Sequence, residues 1–224
     1  MNYNYLKLND TWSCKGENYT NVESKNSEAI YYINLDHRTD RRREVEEEFR
    51  RMGITGYHRF PAIYNKSMGA LGCSSSHIRS LQNAMETGAE HLIIFEDDIQ
   101  FLVSPEEYSE LIEALKKIDY DVFVFTHSYG QIQPSDHPLL RRITTCYSST
   151  GYVVSRKYAP TLLENFRDGW YNMSIGKEDS TLDVYWISLQ KKDKWFCYYK
   201  KMAQQRPGYS DISKVSISHH KGFD

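Results

Sequence analysis

Residues His91 to Phe95 read HLIIF, and the next three positions are Glu96, Asp97 and Asp98. A short, continuously apolar run has the character of a strand buried on both faces of a parallel sheet. Ligands of open α/β sheets bind outside the carboxyl ends of the strands. A strand that ends on three carboxylates therefore carries its acidic groups where a ligand would sit. Adjacent carboxylates repel one another, and a core does not accept them unpaired. Two readings remain at this point: an acidic turn in solvent, or a site for a hard divalent cation that keeps positions open for phosphate oxygens. Alternation along an extended chain predicts Glu96 and Asp98 on one side and Asp97 on the other.

The surrounding pattern predicts an α/β fold. AIYYINL, residues 29–35, is an apolar, aromatic and β-branched strand. Thr39 or Asp40 is placed to cap a helix whose stripe is Val45, Phe49 and Met52, and Gly53 stands at its stop. Arg42 with Glu46, Glu46 with Arg50 and Glu47 with Arg51 fall at i,i+4, the pattern of a solvated helix face. A strand is predicted over 57–63. After Gly69 and Gly72, the segment SSSHIRSLQNAMETG forms a helix with Ile78, Leu81 and Met85 inward, closed by Gly88. Ser104-Pro-Glu-Glu107 is a capping box opening a helix that buries Tyr108, Leu111, Ile112, Leu115 and Ile118. DVFVF, residues 121–125, is a further buried strand. Strands alternating with helices imply a mostly parallel sheet with right-handed crossovers. Beyond residue 130 the pattern predicts a strand over 144–155, a short helix at KYAPTLLENF, a helix around 181–189, a strand near 195–199 and a loop-like tail. Residues 1–28 read as a polar extension and 29–224 as one domain.

Composition narrows the function. With 28 basic and 30 acidic residues the net charge is -2, which argues against a broad nucleic-acid footprint. No run of 18 apolar residues spans a bilayer, and MNYNYLKLND has no apolar signal core, so the expected location is cytoplasmic. Cys14, Cys73, Cys146 and Cys197 form no CxxC pair, which argues against a zinc knuckle and for free thiols. The N-x-S/T sequons at Asn9, Asn18, Asn65 and Asn172 carry weight only in a secretory lumen.

Three blocks, YYINLDHRTDRRREVEEEF, ALGCSSSHIRSLQNA and HLIIFEDDIQF, resemble in order and spacing the glycosyltransferase family 25 domain. That family includes bacterial lipopolysaccharide galactosyltransferases and collagen hydroxylysine galactosyltransferases. The resemblance implies a single GT-A type, Rossmann-like domain, with the acidic triplet as its DxD-like element. It implies that Glu96 and Asp98, with Asp97 between them, hold manganese or magnesium and the diphosphate of a UDP-sugar. Asn34, Arg38 and Arg41 would border the nucleotide. Gly72-Cys73-x-x-Ser76-His77 looks like the family's G-C-x-x-S-H, which would place Ser76 and His77 at the donor, although His77 also reads as a cap of its own helix. A Cys-His nucleophile pair lacks an evident orienting partner. Ser210 and Asp211 of GYSDI resemble a late family piece near the donor, and His219 or His220 offers a late nitrogen ligand to the metal. The implied chemistry is inverting transfer, and Asp183 in TLDVYW is the base candidate, with Glu178 and Asp179 as rivals.

The expected partners are a UDP-hexose and an acceptor hydroxyl on a lipopolysaccharide, another glycan or collagen hydroxylysine. Lys191, Lys192, Lys194, Lys200 and Lys201, interleaved with aromatics, suit either peripheral membrane contact or an edge strand guarded by lysines. A magnesium-dependent nucleotidyltransferase would also use acidic residues at a strand end, but no GxxxxGK[ST] loop is present. The remaining alternative is a non-catalytic sugar-nucleotide-binding or scaffold domain, against which the intact triplet counts.

Overall fold

The computed structural model describes residues 27–212 and 214–217. Most of the expected polar extension and the histidines His219 and His220 lie outside the described residues. The main frame consists of β1 (Glu28–Asn34), α1 (Thr39–Arg51), β2 (Tyr57–Pro61), α2 (Gly69–Glu86), β3 (His91–Glu96), β4 (Ile99–Phe101), α3 (Pro105–Leu115) and β5 (Val122–Val124). It continues through β6 (Ser128–Pro134), β7 (Leu140–Tyr147), β8 (Gly151–Ser155), α4 (Ala159–Ser174), α5 (Leu182–Tyr185), α6 (Ile187–Gln190) and β9 (Trp195–Tyr198). Three short strands follow, β10 (Ala203–Gln205), β11 (Gly208–Tyr209) and β12 (Ser216–Ile217).

Among the described residues one sheet has eight strands in the order β2-β1-β3-β8-β5-β9-β7-β6. β1 lies parallel to both β2 and β3, and β9 parallel to β5. β8 is antiparallel to β3 and β5, and β7 to β9 and β6. Six of the eight strands thus share one direction, giving the mostly parallel α/β sheet. Successive side chains of β1 feed opposite faces. Tyr31 and Ile33 pack with Leu81 of α2 and Leu162 and Phe166 of α4. Ile30 and Tyr32 pack with Val45 and Phe49 of α1 and with Leu111 of α3. Helices therefore cover both faces, as a sheet apolar on both sides requires.

Local chemistry matches several expectations and corrects others. Ser104 accepts from Glu107 N and Glu107 reaches back to Ser104 N, completing the capping box. Gly53 and Gly88 follow α1 and α2 at φ 69° and 80°, a conformation other residues rarely adopt. Neither Thr39 nor Asp40 caps α1: Arg38 holds that position without a side-chain cap bond. Arg51 pairs with Glu48 rather than Glu47, because Glu48 is buried beneath α1 and needs a counter-charge. α2 begins at Gly69, so Gly72 is inside the helix instead of turning the chain into it. β9 lies between β5 and β7, which rules out a lysine-guarded edge strand; Lys200 pairs with Glu107 and Lys194 with Asp119. The tail is not all loop, since β10 pairs antiparallel with β4.

Candidate functional site

The carboxyl end of β3 opens into a cleft of about 1000 Å3. All three carboxylates of the triplet line it. The chain turns at Asp97 and Asp98 and returns as β4. Two clamps fix that turn. Arg206 N donates to Asp98 O at 2.6 Å from the β10 side. From beneath, Phe101 N donates to the buried Glu48 carboxylate at 2.7 Å.

The turn ends the alternation that an extended chain would keep. Asp97 and Asp98 both face Arg41, whose Nη1 donates to Asp97 Oδ1 at 2.9 Å and lies 3.4 Å from Asp98 Oδ2. Asn34, at the end of β1, donates to Asp97 Oδ2 at 2.7 Å and is itself oriented by Arg59. Burial works against the Arg41 cation, and the two carboxylates more than offset it. Asp97 is raised by burial, with Arg41 and Asn34 opposing the rise. Asp98 is pushed up to about 8, first by burial and then by the neighbouring Glu96 charge. Its Oδ1 is buried and has no hydrogen-bond partner. A buried carboxylate oxygen without a partner costs free energy unless a proton or a cation meets it.

Glu96 turns away to a different set of partners. Ser149 donates to Glu96 Oε1 at 2.6 Å, and His77 Nε2 stands 3.3 Å from the same oxygen. His77 is fully buried, and its Nδ1 lies 3.2 Å from the Tyr152 hydroxyl. Burial raises the Glu96 carboxyl, but His77 and Ser149 overcome it and the net shift is downward. Cys73 lies one helical turn before His77 on α2, and its thiol is raised well above the ordinary range by burial and by the nearby carboxylates. The antiparallel course of β8 brings Ser149 here: its entry meets the exit of β3, with Glu96 N donating to Thr150 O at 2.8 Å.

The remaining expected site residues divide. Ser210 and Asp211 line the cleft, and Arg38 holds Asp211 and Asp40 without itself lining the wall. Arg41 Nη2 also donates to Tyr209 O at 2.9 Å, so the same guanidinium ties the C-terminal segment to the triplet. Ser76 lines the cleft but is engaged structurally, accepting from Ile63 N and donating to Gly72 O. His77 is no helix cap, since α2 begins eight residues earlier, at Gly69. Asp183 lies outside the cleft lining and accepts from Ser148 N at 3.2 Å and from the Thr181 hydroxyl at 3.2 Å. Ser148 has φ 89°, and this contact stabilises the strained link from β7 to β8. Ser149, Tyr152 and Arg206 escaped the sequence reading. They are distant from the motifs in sequence, and only strand pairing brings them to the triplet.

The model of "Glycosyltransferase family 25 (LPS biosynthesis protein)" matches residues 66–175, which contain α2, the triplet, Ser149 and Tyr152. A "Glycosyltransferase 25 family member" of Drosophila pseudoobscura pseudoobscura is 26% identical over 167 residues, covering 60% of this chain and 26% of that protein. One from Anopheles gambiae is 25% identical over 169 residues, covering 60% and 28%. The chain thus spans about a quarter of the length of these curated relatives. Among solved structures, a glycosyltransferase involved in glycosylation of the major capsid of PBCV-1 is similar at TM-score 0.42 and 12% identity, covering 77% of this chain and 92% of that one. The match over the triplet-bearing region, together with both relatives, makes this chain similar to glycosyltransferase family 25 and supports that assignment.

Proposed function

We propose that the cleft at the carboxyl end of β3 is the donor site of a metal-dependent, inverting glycosyltransferase. It would move a hexose, galactose or glucose, from a UDP-sugar to an acceptor hydroxyl of a lipopolysaccharide, another glycan or a collagen hydroxylysine. The observation that carries this reading is Asp98 Oδ1, buried, unpartnered and crowded by two further carboxylates. Asp98, with Glu96 and Asp97 beside it, would hold manganese or magnesium, whose chemistry when bound is to neutralise the departing nucleoside diphosphate.

The chain's own residues supply the rest. Arg41 is anchored at the triplet and suits pairing with a phosphate oxygen. Asn34 keeps Asp97 oriented, so that the acidic wall holds its shape. Asp183 is the proposed base, removing the acceptor hydroxyl proton as the new bond to the anomeric carbon forms and the bond to phosphate breaks. Its carboxylate is held in place by Ser148 N and Thr181.

A UDP-release assay over a panel of UDP-sugars, with manganese and then with EDTA, tests the reading. The expected result is slow manganese-dependent turnover of one donor, lost in EDTA and in Asp98→Asn. Silence with every donor, together with no thermal shift on adding UDP and manganese, would sink it.

A further inference from the structure

We infer that Cys73, His77 and Glu96 form a second cation site, for a thiophilic divalent ion such as zinc, which shares Glu96 with the hard-cation site proposed at Asp98 but none of its other carboxylates. The Cys73 thiol, a His77 ring nitrogen and a Glu96 oxygen all lie within 4.8 Å of one another. Metal–ligand bonds of about 2.0–2.3 Å place tetrahedral ligand atoms roughly 3.3–3.7 Å apart. His77 Nε2 and Glu96 Oε1 already stand at 3.3 Å, so the thiol needs only a small approach.

The scaffold is built for such a site. Cys73 and His77 are four residues apart on α2 and therefore share one helix face. Glu96 meets them from the end of β3. Tyr152 oxygen, 3.2 Å from His77 Nδ1, is positioned to accept that proton and leave Nε2 as the ligand. Ser149 fixes the carboxylate in the same way, donating at 2.6 Å. Sulfur decides the metal class: a thiolate favours zinc, cadmium or cobalt over magnesium or manganese. Coordination releases the thiol proton to solvent. Three protein ligands leave the fourth position to water or to an occupant of the cleft. Asp97 and Asp98 face Arg41 on the other side of the turn and are not among the ligand atoms gathered here.

Cobalt titration of the full chain tests this without any sugar donor, so its failure is separate from failure of the transferase reading. Wild type is expected to develop a near-ultraviolet thiolate-to-cobalt charge-transfer band. Cys73→Ser should lose the band and weaken zinc in a chelator competition by at least about tenfold, while Asp98→Asn keeps it. Zinc should also protect Cys73 of the wild type from alkylation, read by peptide mass spectrometry, so the test does not depend on a variant folding. Absence of the band in wild type, its persistence in Cys73→Ser, its loss in folded Asp98→Asn, or alkylation of Cys73 at an unchanged rate would each overturn the proposal.

Discussion

Arg41 bridges two parts of the chain far apart in sequence, donating at 2.9 Å both to Asp97 Oδ1 and to the carbonyl of Tyr209. One guanidinium thus compensates the acidic turn and anchors the C-terminal segment across the cleft. Arg41→Ala removes the counter-charge from two largely buried carboxylates. The expected loss is about 3 kcal/mol of stability, measured by urea unfolding in chelator. A loss below about 0.5 kcal/mol, within the range of an ordinary surface substitution, would show that the turn does not depend on this cation.

The raised Asp98 carboxyl has a defined effect on the pH dependence of stability. Its folded value, about 8, lies above that of the unfolded chain, so the folded state binds the extra proton between the two. Its stabilising contribution is complete below the ordinary aspartate range and is lost as pH rises through about 8. With metal chelated, Asp98→Asn should match wild type near pH 3 and exceed it in stability by a margin that grows with pH and levels off above about pH 8. Parallel stability profiles for the two proteins would contradict the assignment.

Gly72 holds α2 against the loop that follows β2. A Cβ there would lie 2.5 Å from Ile63 O and 3.0 Å from Asn65 N, both backbone atoms with little room to give. Gly72→Ala should cost about 1–3 kcal/mol by overpacking. It should also displace the neighbouring Cys73 and His77, visible as a changed rate of Cys73 alkylation. An unchanged melting temperature and alkylation rate would show that the loop relaxes freely.

For Asp183, the structural contact and the proposed proton transfer make separable predictions. Asp183→Asn keeps the side chain's shape and an oxygen able to accept from Ser148 N, but removes the base. If Asp183 is the base, transfer to acceptor falls by about 10²–10⁴-fold with little change in melting temperature. A stable variant with unchanged kcat would confine Asp183 to holding the link between β7 and β8.

Much of this architecture is written locally. Leu92 to Phe95 must be a buried strand because no polar side chain interrupts the run, and Ser104-Pro-Glu-Glu107 must open a helix because it satisfies its own backbone donors. The place of the triplet follows from the first of these. Its division into Asp97 and Asp98 facing Arg41 and Glu96 facing His77 is not local: a turn cancels the alternation an extended chain would keep. Nor could the sequence show the reversal of β8. GYVVS is apolar whichever way it runs, and backbone pairing with β3 and β5 determines the direction.

The sequence by itself thus determined β1, β2, β3 and β5, the helices α1 to α4, the acidic end of β3 and the family resemblance, because periodicity, capping and motif spacing are properties of neighbouring residues. The single strand expected over 144–155 is instead two, β7 and β8. Tertiary structure alone decided which charges meet. Ser149 and Tyr152 reach Glu96 and His77 through the antiparallel course of β8, and Asp97 finds Arg41 through the packing of α1 beside the β3 turn. Buried charge demands a partner, and the partner that satisfies it is set by proximity in space, which chain position does not encode.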